Sequence, residues 1–234
     1  MDINHSYVER RGEIATYFDR TAVDAWKRLT SDAPVNRIRA TVRAGRDRMR
    51  STLLSWLPND LRGARLLDAG CGTGALSVEA ARRGADVVAI DLSPQLVQLA
   101  SERCPDDLGF GSIEFRVGDM LDPRVGRFDY VVAMDSIIHY TERDAAQVLA
   151  GLAERTSRAI LCTFAPRTPA LTVMHAVGRM IPGHANRAPA IVPVAHRRLT
   201  ELFALRAATT WQAGRTERVS SGFYKSQALE LHQS

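Results

Sequence analysis

The chain has 234 residues, of which 45% are hydrophobic and 24% are charged. This length and composition fit one folded domain and exclude wholesale disorder and fibrous repeats. The net charge of +5 is unevenly spread, because residues 65–150 carry −6 whereas the segments before and after them carry +4 and +7. Basic outer segments favour an anionic ligand, although an Arg-rich solvated surface would produce the same bias.

The first 58 residues are predicted to form a helical lid. Residues 7–29 have the pattern of one or two short helices, with a break near Asp19–Thr21. From Val35 onward, apolar side chains recur at steps of three and four, and arginines occupy the other faces, so we expect one amphipathic helix with a basic side. Pro58 ends it. The basic side fits either a membrane surface or the lid of the domain's own site.

Short apolar runs then alternate with helical segments across residues 60–165. Such alternation is typical of a parallel, doubly wound, Rossmann-like α/β sheet. The predicted strands are Ala64–Ala69, Asp86–Ile90, Ile113–Val117, Phe128–Met134 and Arg158–Phe164, and the predicted helices are Ala75–Arg83, Pro94–Arg103 and Asp144–Glu154.

The last third of the chain departs from that rhythm. Residues 166–195 hold five prolines around an apolar helical piece, Leu171–Ile181, which predicts an insertion that forms part of a binding wall. Residues 196–234 complete the fold. There we expect a helix at His196–Phe203 and an antiparallel hairpin of Ala204–Gln212 and Val219–Gln227 around Gly214, which brings the sheet to seven strands, mostly parallel, in a single domain.

A glycine-rich segment follows the first predicted strand. Gly70, Gly72 and Gly74 let the chain turn tightly and approach a ligand, and with Ala75 they satisfy the G-x-G-x-x-A dinucleotide pattern. A nicotinamide dehydrogenase is therefore an alternative. Asp68 disfavours it, because a carboxylate two residues before the first glycine would repel a pyrophosphate. S-adenosylmethionine (SAM) carries an ammonium group and no phosphate, so it fits.

Acidic residues also follow the next two predicted strands. Asp91 is placed to accept the ribose hydroxyls, and Asp119 suits the adenine amino group, with the backbone of Met120 beside the ring. Each acid alone has the alternative of a helix cap or a turn. Together they resemble the class I SAM-dependent methyltransferase superfamily over about residues 60–165. The predicted cofactor residues are Asp68, Ala69, Gly70, Gly72, Gly74, Asp91, Leu92, Asp119, Met120 and Met134.

Four further segments resemble the magnesium-protoporphyrin IX O-methyltransferase family of (bacterio)chlorophyll biosynthesis. They are Tyr17–Trp26, Gly45–Asp47, Asp135–Tyr140 and Gly222–Ser226, and the Pro-rich insertion matches least well. The resemblance implies methyl transfer from SAM to one propionate of magnesium protoporphyrin IX. It also implies contact with the large subunit of magnesium chelatase. The magnesium is carried by the substrate, and no protein-bound metal is expected.

The resemblance also implies how the acceptor is handled. A carboxylate, with a pKa of about 4, is already ionised at pH 7, so the enzyme must mainly align it and remove water. The superfamily typically places acceptor-facing side chains just after the fourth strand, where His139 lies. We predict that His139 holds or deprotonates the propionate and that Tyr17 gives a second hydrogen bond. The alternatives are a satisfied histidine at a helix start and an aromatic packing residue.

The same sequence leaves other functions open and indicates a compartment. A methyltransferase of another lipophilic molecule, such as a quinone precursor, is the nearest alternative, and a catalytically inactive binding module on the same fold is another. No nucleic-acid partner is expected, because aromatic residues make up only 6% and do not alternate with the arginines. No apolar run reaches the roughly 20 residues that span a bilayer. The three scattered cysteines predict a cytoplasmic protein without disulfides or a zinc site, and peripheral association with a membrane stays open.

Overall fold

A computed structural model of the chain describes residues 5–20, 30, 36–167 and 189–234. The described helices are α1 (His5–Arg20), α2 (Arg37–Ser55), α3 (Ala75–Arg82), α4 (Pro94–Glu102), α5 (Glu142–Ala153) and α6 (His196–Ala204). The described strands are β1 (Arg65–Ala69), β2 (Asp86–Asp91), β3 (Ser112–Val117), β4 (Phe128–Ala133), β5 (Thr156–Phe164), β6 (Trp211–Ser221) and β7 (Tyr224–Gln233).

The strands form one sheet in the order β3-β2-β1-β4-β5-β7-β6. Strands β1 to β5 are parallel, whereas β7 runs antiparallel to β5 and pairs with β6 in a hairpin. This confirms the predicted fold class. The strand order reverses between β1 and β4, and ligands of open α/β sheets bind at the carboxyl ends of the strands at such a point.

Two hydrophobic clusters cover the two faces of the sheet. On one face, Leu67 and Ile160 lie in a cluster with residues of α1, α5 and α6. On the other face, Leu66 and Leu161 lie in a cluster with residues of α2 and α3. Successive side chains of a strand point to opposite faces, and strands buried on both faces are hydrophobic along their whole length. The apolar runs in the sequence follow from this arrangement.

Side-chain caps fix where three of the helices begin. The Asn36 side chain accepts a hydrogen bond from the backbone N–H of Arg39 at the start of α2. Ser93 caps α4, which has a proline at its first position, and Thr141 caps α5. A cap of this kind stabilises a helix by about 0.5–2 kcal/mol. The cap of α5 also fixes the backbone next to the segment that links β4 to this helix.

The predicted position of the C-terminal hairpin was wrong. Its strands are β6 and β7, and the turn lies at Gly222–Phe223, so Gly214 is not the turn residue. Gly222 has a φ of +54°, which glycine adopts without strain, and a two-residue turn with glycine first suits a hairpin. Gly214 lies instead in the irregular stretch of β6 between Ala213 and Thr216, where the register shifts. Glycine inside a strand is typical of such irregularities.

The insertion leaves and rejoins the sheet at one place. The backbone N–H of Val194 donates to the carbonyl of Ala165 over 2.8 Å, and that of Val192 donates to the carbonyl of Ile138 over 2.8 Å. Both ends therefore lie at the carboxyl side of β4 and β5. The predicted helix Leu171–Ile181 lies outside the described residues. Among the helices that are described, none combines the length and the apolar character needed to cross a bilayer.

Candidate functional site

A cavity of about 900 Å³ lies at the carboxyl ends of the parallel strands. Ligand pockets range over roughly 300–1,000 Å³, so this one has room for more than a single small ligand. Its walls come from α1, α2, the glycine turn, the segment after β4, the end of the insertion and the hairpin. The predicted site residues that line it are Tyr17, Asp68, Gly70, Gly72, Asp91, Leu92, Met120, Met134 and His139.

Asp68 stands at the inner end of this cavity. It is 2% exposed, and its carboxylate accepts a hydrogen bond from the Ser77 hydroxyl over 2.6 Å. Burial raises the pKa of Asp68 to about 7, the Ser77 hydrogen bond opposes the rise, and the neighbouring charge of Asp91 adds to it. A positively charged ligand group would favour the ionised form of this side chain.

Asp91 ends β2 and shapes the glycine turn. Its carboxylate accepts hydrogen bonds from the backbone N–H of Gly72 over 2.9 Å and of Ser93 over 3.0 Å. Burial raises the pKa of Asp91, although these hydrogen bonds oppose the rise. A carboxylate can accept about four hydrogen bonds, so Asp91 can hold the turn and also accept from a ligand hydroxyl.

Asp119 is engaged by the N-terminal helix and does not line the cavity. Its carboxylate accepts from the Tyr7 hydroxyl over 2.7 Å, from the backbone of Leu121 over 2.9 Å, and from Arg11 in an ion pair. The Tyr7 ring stacks on Tyr140 with the centroids 5.1 Å apart. Asp119 is therefore absent from the cavity lining, whereas Met120, its neighbour, does line the cavity.

Two other predicted cofactor residues contribute to the walls only indirectly. Ala69 is the fully buried last residue of β1. Gly74 begins α3 with a φ of +78°, and a Cβ placed there would lie 3.2 Å from Ala100 and 3.3 Å from the Phe115 ring. It therefore permits close packing of α3, which is the role of the last glycine in such turns.

The segment after β4 contributes a hydroxyl that sequence reasoning did not assign. Within the described part of the chain, the Ser136 Oγ is buried and has no hydrogen-bond partner. Ser136 lines the cavity and packs against the glycine turn. A Cβ added to Gly70 would lie 2.4 Å from the Cβ of Ser136. A buried hydroxyl without a partner costs free energy, and a ligand group with an acceptor or donor would remove that cost.

Asp135, the residue before it, ties three elements together. It has a φ of +54° and its side chain is only 7% exposed. It forms an ion pair with Arg46 of α2 over 2.5 Å and accepts from the Tyr224 hydroxyl at 3.1 Å and the Thr163 hydroxyl at 3.1 Å. The contacts hold α2, β5 and β7 around the cavity.

His139 and Tyr17, the two predicted catalytic residues, line the same cavity. His139 is 7% exposed, and burial lowers its pKa, so it is neutral at pH 7. Its Nδ1 lies 3.4 Å from the carbonyl of Ala190, which can only accept a hydrogen bond. This contact favours the tautomer with the proton on Nδ1 and leaves Nε2 as an acceptor. Tyr17 is half-buried at the end of α1, edge-on to Phe18.

The outer part of the cavity is both basic and apolar. Helix α2 faces it with Arg39, Arg43, Arg46 and Arg50, and the hairpin adds Lys225. Two apolar side chains there are exposed, Phe223 at 66% and Ile191 at 42%. An amphipathic ligand with an apolar body and anionic groups matches such a surface.

Comparisons with known proteins agree with this geometry. The family described as "Magnesium-protoporphyrin IX methyltransferase C-terminus" matches residues 133–233, and a general methyltransferase domain matches residues 66–158. The magnesium-protoporphyrin O-methyltransferase of Rhodobacter capsulatus is 48% identical over 229 residues, which cover 96% of this chain and 97% of the relative. The chain belongs to the magnesium-protoporphyrin O-methyltransferase family.

Two comparisons with proteins of Synechocystis extend this result. The magnesium-protoporphyrin O-methyltransferase of Synechocystis PCC 6803 is 30% identical over 223 residues, covering 94% of this chain and 95% of the relative. A crystal structure of magnesium protoporphyrin IX methyltransferase from the same organism, with S-adenosylhomocysteine bound, matches with a TM-score of 0.83 and 29% identity, covering 96% of this chain and all of that one. The fold of this magnesium-protoporphyrin O-methyltransferase family member is therefore that of a methyltransferase.

Several residues that shape this family member's cavity were missed as site residues. Asp135, Ser136 and Tyr224 all lie in segments that carried the family resemblance, and their position after β4 or in the hairpin was the available signal. The four arginines of α2 follow helical spacing, which was noted only as a basic side. No group of three or more potential metal ligands is found among the described residues, and His175 and His184 lie outside them.

Proposed function

We propose that the chain transfers a methyl group from SAM to one propionate carboxylate of magnesium protoporphyrin IX and gives the monomethyl ester. The observation that carries this proposal is one cavity in which Asp68, Asp91 and the glycine turn lie with His139 and with a basic, apolar mouth. The inner end suits a cationic cofactor, and the mouth suits a large apolar ring with carboxylate arms. The family membership of the chain agrees with both.

Three described side chains fit SAM. Asp68 would hold the ammonium group, Asp91 would accept from the ribose hydroxyls, and the unpartnered Ser136 hydroxyl would bond the methionine part. Relatives support the cofactor, because solved magnesium protoporphyrin IX methyltransferases contain SAM or S-adenosylhomocysteine. The contact of Asp119 with adenine stays a prediction, and the contact of Met120 is the more direct one, because this residue lines the cavity.

The chain's own residues must align the acceptor and exclude water. SAM supplies the electrophilic methyl group: its bond to sulfur breaks as the bond to the carboxylate oxygen forms, and S-adenosylhomocysteine leaves. Alignment of the acceptor oxygen at about 3 Å and removal of water from it lower the barrier. Phe18, Tyr17 and Ile14 of α1 line the cavity and help to exclude water there.

His139 is suited to receive a proton from the propionic acid. With an ordinary carboxyl pKa of about 4, a small part of the acceptor is protonated at pH 7, and that proton must leave before methyl transfer. With the proton of the neutral imidazole held on Nδ1 by the Ala190 carbonyl, Nε2 can take the carboxyl proton and leave the nucleophilic carboxylate. The Tyr17 hydroxyl would donate to the second carboxylate oxygen.

The outer segments have distinct proposed roles. Residues 1–58 form the lid, since α1 and α2 both line the cavity. Residues 60–165 form the SAM-binding core, 166–195 the acceptor-binding insertion, and 196–234 the closing helix and hairpin. The insertion begins and ends at the cavity, where Ala165 and Ile191 line the wall. Contact with magnesium chelatase, association with a membrane surface and a cytoplasmic location stay predictions.

A binding titration separates this proposal from a quinone-type methyltransferase. Magnesium protoporphyrin IX is added to the protein with S-adenosylhomocysteine present, and porphyrin absorbance and fluorescence are followed. We expect a saturable spectral change that a benzoquinone precursor does not compete away. A protein that leaves the porphyrin spectrum unchanged but binds the quinone precursor would contradict the proposal.

A further inference from the structure

Asp135 lies at a strained point of the backbone, two residues after the end of β4. Among the described residues it is the only one besides glycines with a positive φ, at +54°. Asp and Asn tolerate this left-handed conformation better than most residues, yet it persists only where the surrounding contacts impose it. Backbone strain is concentrated at functional sites, so the contacts that hold Asp135 in this conformation are relevant to the reaction.

The contacts of the Asp135 carboxylate come from three elements. Arg46 of α2 forms the ion pair over 2.5 Å, and the Tyr224 hydroxyl of β7 donates over 3.1 Å. The Thr163 hydroxyl of β5 donates to the carboxylate over 3.1 Å and accepts from the Asp135 backbone N–H over 2.7 Å. Gly45 lets the Tyr224 ring lie against α2, because a Cβ at Gly45 would be 2.6 Å from that ring. Three of the four segments that carried the family resemblance therefore meet at this carboxylate.

The segment that begins at Asp135 carries His139. At its other end this segment is bonded to the end of the insertion. The Nδ1 of His139 lies 3.4 Å from the carbonyl of Ala190, and the carbonyl of Ile138 accepts from the backbone N–H of Val192 over 2.8 Å. The segment is therefore held at both ends, and Asp135 holds the end at the sheet.

The charged groups near His139 act on its pKa in opposite directions. Burial has the largest effect and lowers the pKa of His139, whereas two backbone carbonyls at the end of the insertion raise it. Of the charged groups, Arg10 of α1 lowers this pKa and Asp135 raises it. Arg46 is paired with Asp135 and carries the opposite charge, so it offsets part of the effect of Asp135. The ion pair therefore sets the charge that a protonated imidazole meets.

We propose that Asp135 and Arg46 are a positioning pair for methyl transfer, which holds the segment that carries His139 and balances the charge beside its ring. The inference rests on the proposed function, in which the Nε2 of His139 takes the carboxyl proton of the acceptor. The Asp135 carboxylate favours the imidazolium that then forms. Arg46 keeps this carboxylate from holding the ring protonated before the acceptor enters. The pair acts through His139 and needs no contact of its own with the acceptor.

Three variants test the pair against a matched control. Asp135→Asn removes the charge and keeps a side chain that accepts hydrogen bonds and tolerates a left-handed φ. Arg46→Gln leaves the carboxylate unpaired, and the double variant carries neither charge. The control is Glu230→Gln, since Glu230 is a buried carboxylate that pairs with Arg215 and does not line the cavity.

The titration of His139 and the rate of methyl transfer are measured in each protein. NMR titration of the cofactor-free protein gives the pKa of His139, and His139→Gln assigns its signal. We expect this pKa to fall in Asp135→Asn and to rise in Arg46→Gln, with the double variant between them and the control unchanged. The acid limb of the pH profile of kcat/KM for magnesium protoporphyrin IX should move in the same directions.

The rate on the pH plateau tests the positioning itself. We expect kcat to fall about tenfold in each single variant, the usual effect of losing one charge-assisted hydrogen bond. In the control it should stay within about twofold of wild type. Calorimetric titration with S-adenosylhomocysteine shows which variants are folded. If Arg46→Gln does not fold, the double variant, which has no unpaired buried charge, must still titrate above Asp135→Asn.

The outcomes separate this inference from the function on which it rests. Loss of a merely structural contact would lower the stability of both single variants without shifting the pKa of His139 in opposite directions. Shifts that are equal or absent, or a kcat that falls as much in the control, would overturn the inference and leave the proposed function standing. A wild type that binds SAM but leaves the porphyrin unmethylated would contradict the proposed function, whatever the titration shows.

Discussion

Replacing Asp68 by asparagine should stabilise the cofactor-free protein and weaken SAM binding. The carboxylate is buried, with its pKa raised from 3.8 to about 7. A group whose folded pKa is above its unfolded value binds more protons when folded, so the stability of the protein falls as pH rises between the two values. The free-energy cost of ionising the buried Asp68 is fully present above pH 7 and absent below the unfolded pKa.

The size of the effect follows from the shift. With a pKa difference of about three units, the buried carboxylate lowers the free energy of unfolding by about 4 kcal/mol at pH 8 and by about 2 kcal/mol at pH 5. Asparagine can still accept from the Ser77 hydroxyl, but its buried amide costs about 1–3 kcal/mol. We therefore expect Asp68→Asn to be more stable than wild type by about 1–3 kcal/mol at pH 8 and equal to it near pH 5.

Two assays measure these quantities. Denaturant unfolding of the cofactor-free protein at pH 5 and pH 8 gives the free energies of unfolding, and calorimetry gives the dissociation constant of SAM. The variant should bind SAM about 10- to 100-fold more weakly at pH 8, because the ammonium group loses a charged partner. The opposite outcome, a variant that is less stable at pH 8 and binds SAM normally, would refute the assignment of Asp68.

Other residues give sharp tests as well. Gly70→Ala should abolish SAM binding and lower stability by about 2–4 kcal/mol, because the new Cβ would lie 2.4 Å from that of Ser136 at a φ of +88°. Gly12→Ala is the control, since nothing lies within 4 Å of its Cβ, and thermal unfolding should show a gain of about 0.5–1 kcal/mol. The pH profile of kcat/KM should fall only on the acid side of the ordinary histidine range, because burial lowers the pKa of His139 and only the neutral ring accepts a proton. A fall already above pH 7 would count against this role. Tyr17→Phe should reduce kcat by about tenfold with SAM affinity unchanged, and full turnover would remove Tyr17 from the mechanism.

The parallel strands of the sheet were predictable because most of them are buried and therefore apolar. Strands β1, β2, β4 and β5 are buried along most of their length, and the glycine turn after β1 marks the strand-to-helix junction. The hairpin was harder, since most side chains of β6 are exposed and its sequence, rich in arginine and polar residues, lacks the alternation of a half-buried strand. With two glycines available, the choice between Gly214 and Gly222 depended on tertiary contacts such as the one between Gly222 and Thr41.

The cavity was predictable only where its residues follow strands. Asp68 and Asp91 could be placed from strand order, because parallel strands bring their carboxyl ends to one edge, whereas His139 was placed from the family resemblance. The contacts of Asp119 with Tyr7 and Arg11 join residues more than 100 positions apart, and no local pattern reports them. Burial and tautomer, which decide what His139 can do, are likewise properties of the folded chain.

The most direct measurement follows a labelled methyl group. The protein is incubated with methyl-labelled SAM and magnesium protoporphyrin IX. The porphyrin is then recovered and its mass is measured by mass spectrometry. We expect a single labelled methyl ester and an equal amount of S-adenosylhomocysteine. Recovery of the porphyrin without label, from protein that binds SAM, would contradict the proposed reaction.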